Sequence, residues 1–280
     1  MATWVGLAAQ APAADRFEDQ IPVPPGGTLR VRLDVGSVEI ESDDEHEVRV
    51  EASYSGSMEF ELRSDGRDVE LEGRKEGLFG LLGPRRVRVR VRVPERFSVD
   101  VETQGGSIGL EDIGGSVVAR TSGGSIELDG ALGPAELRSS GGTVEAHDVE
   151  GAVQANTSGG RITISEARGP VEAETSGGGL RIHDVGGPVR ARTSGGSISV
   201  RFEERPEGEI ETSGGSIEAE LPEDMGVDLE ARTSGGRVEI DAPVLMQGAM
   251  SQSHVRGQLF GGGPSLRLET SGGNIRVRVR

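Results

Sequence analysis

Three observations predict an all-β solenoid. A short glycine-rich motif returns every 18 residues, aliphatic residues follow it at fixed offsets, and no helical period is present anywhere in the chain. The motif is Thr-Ser-Gly-Gly or a near variant. It begins at Thr103, Thr121, Ser139, Thr157, Thr175, Thr193, Thr212, Thr233 and Thr270. The first six starts are 18 residues apart, and the later gaps are 19, 21 and 37. Insertions therefore enter towards the C-terminus.

Five residues after each start stand Ile108, Ile126, Val144, Ile162, Leu180, Ile198, Ile217, Val238 and Ile275. Two residues further on stand Leu110, Leu128, Ala146, Ile164, Ile182, Val200, Ala219, Ile240 and Val277, mostly with a polar residue between. Alternation with period two marks a strand with one buried face. A second strand precedes each start, as in Val117-x-Ala119 and Val153-x-Ala155. The nine residues from Ile108 to Ile275 are the expected repeat core. The threonines that open the motif are expected to turn inward. Glycine-rich turns such as Asp112-Ile-Gly-Gly and Asp184-Val-Gly-Gly-Pro188 join the strands, their glycines expected to supply positive φ.

Each unit is thus two strands and two corners, one coil of a single-stranded β-helix expected to wind right-handed. One coil buries about four aliphatic side chains at ~1.5–3 kcal/mol each, too little to order 18 residues. Stacking coils about 4.8 Å apart pairs every strand on both sides and merges the stripes into one core.

Outside the regular coils, three segments are distinguished. Residues 1–20 read as a leader or signal-peptide remnant without fold. The stretch Met1–Ala14 ends in Ala-x-Ala steps but lacks a basic region and a full apolar run. Residues 21–98 carry strands out of register, closing the N-terminal end as an antiparallel hairpin cap. In this region Asp34-Val-Gly-Ser-Val-Glu-Ile40 reads as a degenerate first coil. Residues 99–280 are the solenoid, with an insertion at 241–264.

Composition bounds the function. The 280 residues include 45 Gly and no Cys, so disulfides, thiol catalysis and cysteine-based metal centres are excluded. A net charge of −17 disfavours nucleic acid and anionic lipid as general partners. No apolar run is long enough for a membrane-spanning helix. The alternating Arg86–Val93 segment reads as an ion ladder with Glu70 and Glu72, or with Glu59 and Glu61, in preference to a polyanion stripe. Arg276, Arg278 and Arg280 read as a charged edge that discourages sheet addition.

Few residues suggest chemistry. Gly105-Gly-Ser107-Ile-Gly109 matches a nucleophile-elbow pattern but lies at a repeat corner, without the strand-to-helix turn the elbow needs. His147 and His183 share a repeat position two coils apart, about 9.6 Å at ~4.8 Å per coil, too far to share a metal. Asp112, Asp148, Glu166 and Asp184 are weak calcium candidates at corners, where an acid opening a tight turn is the ordinary reading. No cofactor is expected. Two apolar loops remain, Gly77–Gly83 and Pro243–Met250. Leu78, Phe79, Leu81 and Leu82 are candidate partner contacts, with cover for an open core as the alternative.

The opening Gly27-Thr-Leu-Arg-Val-Arg-Leu-Asp-Val-Gly-Ser-Val-Glu-Ile40, the step Val91-Arg-Val-Pro94, the serial Thr-Ser-Gly-Gly-x-Ile units and the ending Gly261–Ile275 carry a resemblance. Together they resemble the bacterial "putative adhesin" domain family, a domain of unknown function related to the toast-rack proteins of envelope stress operons. The resemblance covers about residues 21–280. It implies a β-helix with extracytoplasmic or membrane-associated placement, no enzyme activity and no catalytic residues.

The expected function is a non-enzymatic, exported or cell-surface scaffold that presents a rigid face to a protein or envelope component. One alternative is an intracellular or membrane-associated scaffold or sensor in an envelope stress response. Another is a polysaccharide-acting β-helix enzyme with a groove beside Phe202 to Glu209. The coil length has its own test. Deleting residues 139–156 should leave a folded, shorter protein, whereas a nine-residue deletion should abolish cooperative unfolding in denaturant titration.

Overall fold

The computed structural model describes residues 15–75, 86–223, 225–242, 244–246 and 251–280. Every regular element among them is a strand. The N-terminal region holds β1 (Asp15–Pro22), β2 (Thr28–Leu33), β3 (Ser37–Asp43), β4 (Glu47–Ser55), β5 (Met58–Ser64), β6 (Val69–Lys75) and β7 (Arg86–Pro94). Regular coils follow as strand pairs. They are β8 (Ser98–Thr103) with β9 (Ile108–Ile113), β10 (Val117–Thr121) with β11 (Ile126–Ala131), and β12 (Ala135–Ser139) with β13 (Val144–Val149). Next come β14 (Val153–Thr157) with β15 (Ile162–Ala167), β16 (Val171–Thr175) with β17 (Leu180–Val185), and β18 (Val189–Thr193) with β19 (Ile198–Phe202). The chain ends with β20 (Gly208–Thr212), β21 (Ile217–Leu221), β22 (Val227–Thr233), β23 (Val238–Asp241), β24 (Val244–Met246), β25 (His254–Leu259), β26 (Ser265–Thr270) and β27 (Ile275–Val279).

The strands form two sheets, one of 13 and one of 14 strands, whose inner faces share one apolar core. Ile126 is in register with Ile108 and Val144, and Val144 with Ile162, so equivalent residues stack in line. The molecule is a β-solenoid. Its predicted core residues are buried, except that Val238 on the edge strand β23 is only partly covered. Each regular coil turns five aliphatic or alanine side chains inward rather than four, together with the opening Thr or Ser. In the coil of β10 and β11 these are Val117, Ala119, Ile126, Leu128 and Ala131, with Thr121.

The opening threonines do turn inward, and each serves two coils. Thr157 Oγ1 donates to the Gly142 carbonyl of the preceding coil at 2.9 Å and accepts the Gly160 amide of its own coil at 3.3 Å. All nine motif starts make the first of these bonds. The second glycine of the motif is required by packing. A Cβ on Gly142 would lie 2.0 Å from the Gly124 carbonyl oxygen, whereas one on Gly141 would have no neighbour nearer than 3.8 Å.

The other corner differs from expectation. Gly114, Gly115, Gly186 and Gly187 do not have positive φ; the acids ahead of them do, at 55° for Asp112 and 54° for Asp184. Asp148, Glu166 and Gly130 share that conformation at the same level of the coil. The register skips this residue, pairing Asp129 with His147 and then Ala131 with Val149. These residues are left-handed kinks stacked inside the strands, not openings of turns, and because both strands carry one the register resumes without a shift. The signal was a break in alternation, because Glu111 and Asp112 are both exposed before Ile113 turns in. Glycine in the second corner answers close stacking instead: a Cβ on Gly187 would meet the Gly169 carbonyl oxygen at 2.4 Å.

Both ends depart from serial order. The first coil, β2 and β3, lies between β6–β7 and β8–β9. The last coil, β26 and β27, is inserted between β20–β21 and β22–β23. The 37-residue gap is therefore a coil, a hairpin and a return, not a loop on a continuing stack. Arg276 and Arg278 consequently sit on an interior strand rather than an edge. They pair with Glu239 at 2.9 Å and Glu218 at 2.8 Å.

The N-terminal cap is antiparallel, with β1 and β4 added to β7 in one sheet and β5 to β6 in the other. Residues 15–20 of the segment set aside as a leader belong to β1, which pairs along its whole length with β4. Phe17 on β1 stacks on Phe60 of β5, with ring centroids 5.5 Å apart, and Tyr54 of β4 lies 5.2 Å from the same ring. These three rings join the two sheets at the end of the core. The Arg86–Val93 ladder exists, but with different partners. Arg90 and Arg92 bind Glu39 and Glu41 of β3, because β6, with Glu70 and Glu72, lies in the opposite sheet. Leu78, Phe79, Leu81 and Leu82 lie outside the described residues, as do the first 14 residues and most of Pro243–Met250.

The clash at the second glycine can be tested. Gly142→Ala should destabilise the protein by about 3 kcal/mol through backbone displacement, and Gly141→Ala should be near neutral. Chemical denaturation of the two variants checks the contrast.

Candidate functional site: a hydroxyl-lined axial groove

The Thr-Ser-Gly-Gly corner does more than turn the chain. Because coils stack in register, the residue before each motif and the serine after it form two rows parallel to the solenoid axis. Between them runs a groove of about 890 Å³. It spans eight stacked strands, from β8 to β20 and on to β26, about 34 Å at the ~4.8 Å strand spacing. Ser122, Ser140, Ser158, Ser176, Ser194 and Ser213 are exposed along it at successive levels.

The other wall is charged. In stacking order it carries Glu102, Arg120, Arg138, Asn156, Glu174, Arg192, Glu211 and Glu269. Most of these charges are held by neighbours. Arg120 bonds Glu136 at 2.7 Å, and Arg192 reaches Glu209 at 2.7 Å and Glu211 at 3.0 Å. Asn156, in the middle, is the uncharged member of the row. Such a wall is fixed by side-chain pairs rather than swept by mobile charges, and with the serine row it offers both donors and acceptors.

On the far corner of the same sheet, Pro134, Ala152, Pro170 and Pro188 line up beside Val118 in a more apolar groove of about 720 Å³. Sequence reading singled out neither groove. The signal was available in the outward positions of the repeat, which matter only once the register makes rows of them.

The predicted site residues are placed as follows. Asp112, Asp148, Glu166 and Asp184 lie at the stacked left-handed kinks of the opposite sheet. Among the described residues, no group of three or more His, Asp or Glu is gathered closely enough to hold a metal ion. Asp184 faces Arg280 at 3.6 Å and Arg201 at 3.8 Å, which makes it an ion-pair member. His147 Nδ1 is 3.0 Å from Ser165 Oγ, and Ser165 separates it from His183 in the register. Burial, with Arg201 nearby, lowers the His183 pKa and favours its neutral form. Phe202 is fully buried in the core, so it offers no aromatic platform beside Glu209.

Residues 28–278 match the family model described as Toastrack DUF4097. The chain belongs to the Toastrack family. A solved structure shares its fold. A protein from Parabacteroides distasonis ATCC 8503 described as a putative lipid binding protein is 12% identical, with a TM-score of 0.52. The similarity covers 94% of this Toastrack chain and 96% of that one. A putative adhesin from the same strain is 14% identical over 94% and 97% of the two chains, with a TM-score of 0.44. A putative adhesin from Bacteroides fragilis NCTC 9343 is 11% identical over 96% and 99%, with a TM-score of 0.40. No curated protein matches the Toastrack chain. No helix among its described residues is long and apolar enough to cross a membrane.

Ion pairs on the outer faces give a pH signature. The Arg201 guanidinium, 2.6 Å from Glu220, holds that carboxyl below the usual carboxylate range against the opposing effect of partial burial. A lowered folded pKa contributes stability that is present above the unfolded value and is lost as pH falls through the folded one. Glu220→Gln should therefore lose less stability than the unaltered protein on acidification below pH ~4, as thermal melts across that range would show.

Proposed function

We propose that this Toastrack chain is a non-catalytic contact protein of the cell envelope, acting outside the cytoplasm, that holds an extended protein or envelope component along the axial groove. The carrying observation is the groove itself. It runs across eight stacked strands, carries a serine hydroxyl at every level but the first, and is built on strands hydrogen-bonded on both sides. A rigid, pre-formed surface loses little entropy on binding, which favours long shallow contacts of this kind. The pairing of the charged wall supports the reading, because side chains held by their neighbours present a fixed pattern of charge to a partner.

The fold shared with the Parabacteroides protein is compatible with this use. Placement outside the cytoplasm rests on the motif resemblance and on an elongated surface suited to envelope contact. Asn156→Trp, which blocks the middle of the groove, should lower the fraction of protein that sediments with bacterial envelope several-fold. Glu145→Trp, on the outer face of the opposite sheet, should leave it unchanged. Equal sedimentation of the two variants would remove the groove from the contact surface.

A further inference from the structure

On the sheet opposite the groove, the residue before each core aliphatic forms an outward row, in stacking order Ser107, Ser125, Thr143, Arg161, Gly179, Ser197, Ser216, Asn274 and Arg237. Away from its centre the row is knitted together. The Ser125 amide donates to Ser107 Oγ at 3.3 Å, and Thr143 Oγ1 to Ser125 Oγ at 3.1 Å. The Ser216 amide donates to Ser197 Oγ at 3.1 Å, and the Asn274 amide to Ser216 Oγ at 3.1 Å. The pattern breaks at Arg161 and Gly179. Neither side chain offers an acceptor, so the Gly179 and Ser197 amides receive none from the preceding coil.

At this break lies a hollow of about 480 Å³, opened by the missing side chain of Gly179. Arg161, Arg181, Ser197 and Ser199 line it, above the buried Leu180 and Ile198. Nine arginines lie between residues 99 and 221. Seven of them hold a carboxylate within 4.0 Å. The remaining two, Arg161 and Arg181, have no ion pair among the described residues, and both line this hollow. Its one carboxylate, Glu218, is taken by Arg278 at 2.8 Å. Within these coils, where the other seven arginines are held by carboxylates, two arginines without ion pairs that line one hollow are the exception.

We propose that this hollow is an oxyanion site, taking a sulfate, phosphate or carboxylate group between Arg161 and Arg181. Guanidinium groups bind such ions through paired, charge-assisted hydrogen bonds, and the serine hydroxyls supply further donors. The ion comes either free from solution or as a substituent of an acidic saccharide. The site lies on the opposite sheet from the axial groove and does not depend on it.

Calorimetric titration with sodium sulfate, at ionic strength held constant with chloride, tests the site in the full chain. The unaltered protein should bind sulfate, and Arg161→Gln with Arg181→Gln should weaken binding by about tenfold or more. Arg168→Gln with Arg205→Gln changes net charge equally and should have little effect. Gly179→Ser, which refills the row, should also weaken binding. Absence of sulfate binding, or equal weakening by the two double variants, would overturn the proposal. A sulfated hexasaccharide identifies the source. Tighter binding than sulfate, lost in the Arg161/Arg181 variant, marks a saccharide substituent, and equal affinity marks the free ion.

Discussion

The fold depends on how closely one coil can lie on the next. At the Thr-Ser-Gly-Gly corner the chain must turn while the carbonyl of the coil below projects into the same space. Glycine at the fourth position removes the Cβ that would collide with that oxygen. The buried threonine hydroxyl then takes up that carbonyl, which would otherwise be stranded away from water at a cost of about 1–3 kcal/mol. Thr157 and Gly160, which both meet the Gly142 carbonyl, show both parts of this arrangement. Without it the strands on either side would lose their register, and register is what aligns Ile108, Ile126, Val144 and Ile162 into a core.

Register is also the source of whatever function the molecule has. A single coil offers one serine and one charged residue at the corner. Repetition at fixed spacing turns these into a groove with two different walls. Departures from the repeat carry as much information as the repeat itself. Gly130 in the row of kinks, Asn156 in the charged wall and Gly179 in the row of hydroxyls each leave a local gap or a neutral point that the neighbouring coils do not have.

Much of this was legible in the sequence because the determinants are local and periodic. The 18-residue spacing fixed the coil, the alternation identified Ile126 and Val144 as inward, and Thr121 was placed inside. Three features were not legible, each for a physical reason. Pairing partners across non-adjacent coils depend on chain order at the ends, so the local pattern points Arg90 to the acids of β5 or β6 although Glu39 holds it. The conformation of Asp112 is masked because acids favour both turns and left-handed kinks. The grooves arise only from stacked surfaces, and the alternating pattern that reveals the interior says nothing of how outward rows line up.

The interleaved ends have a mechanical consequence. In a solenoid wound strictly in order, a pull on either terminus peels the last coil away across a single ladder of hydrogen bonds. Here the C-terminal strand β27 is clamped between β21 and β23, and β2 and β3 are clamped likewise near the other end. Tension applied at Arg280 therefore loads two ladders at once, in shear along the strands. A protein tethered or tugged through its tail would yield elsewhere first.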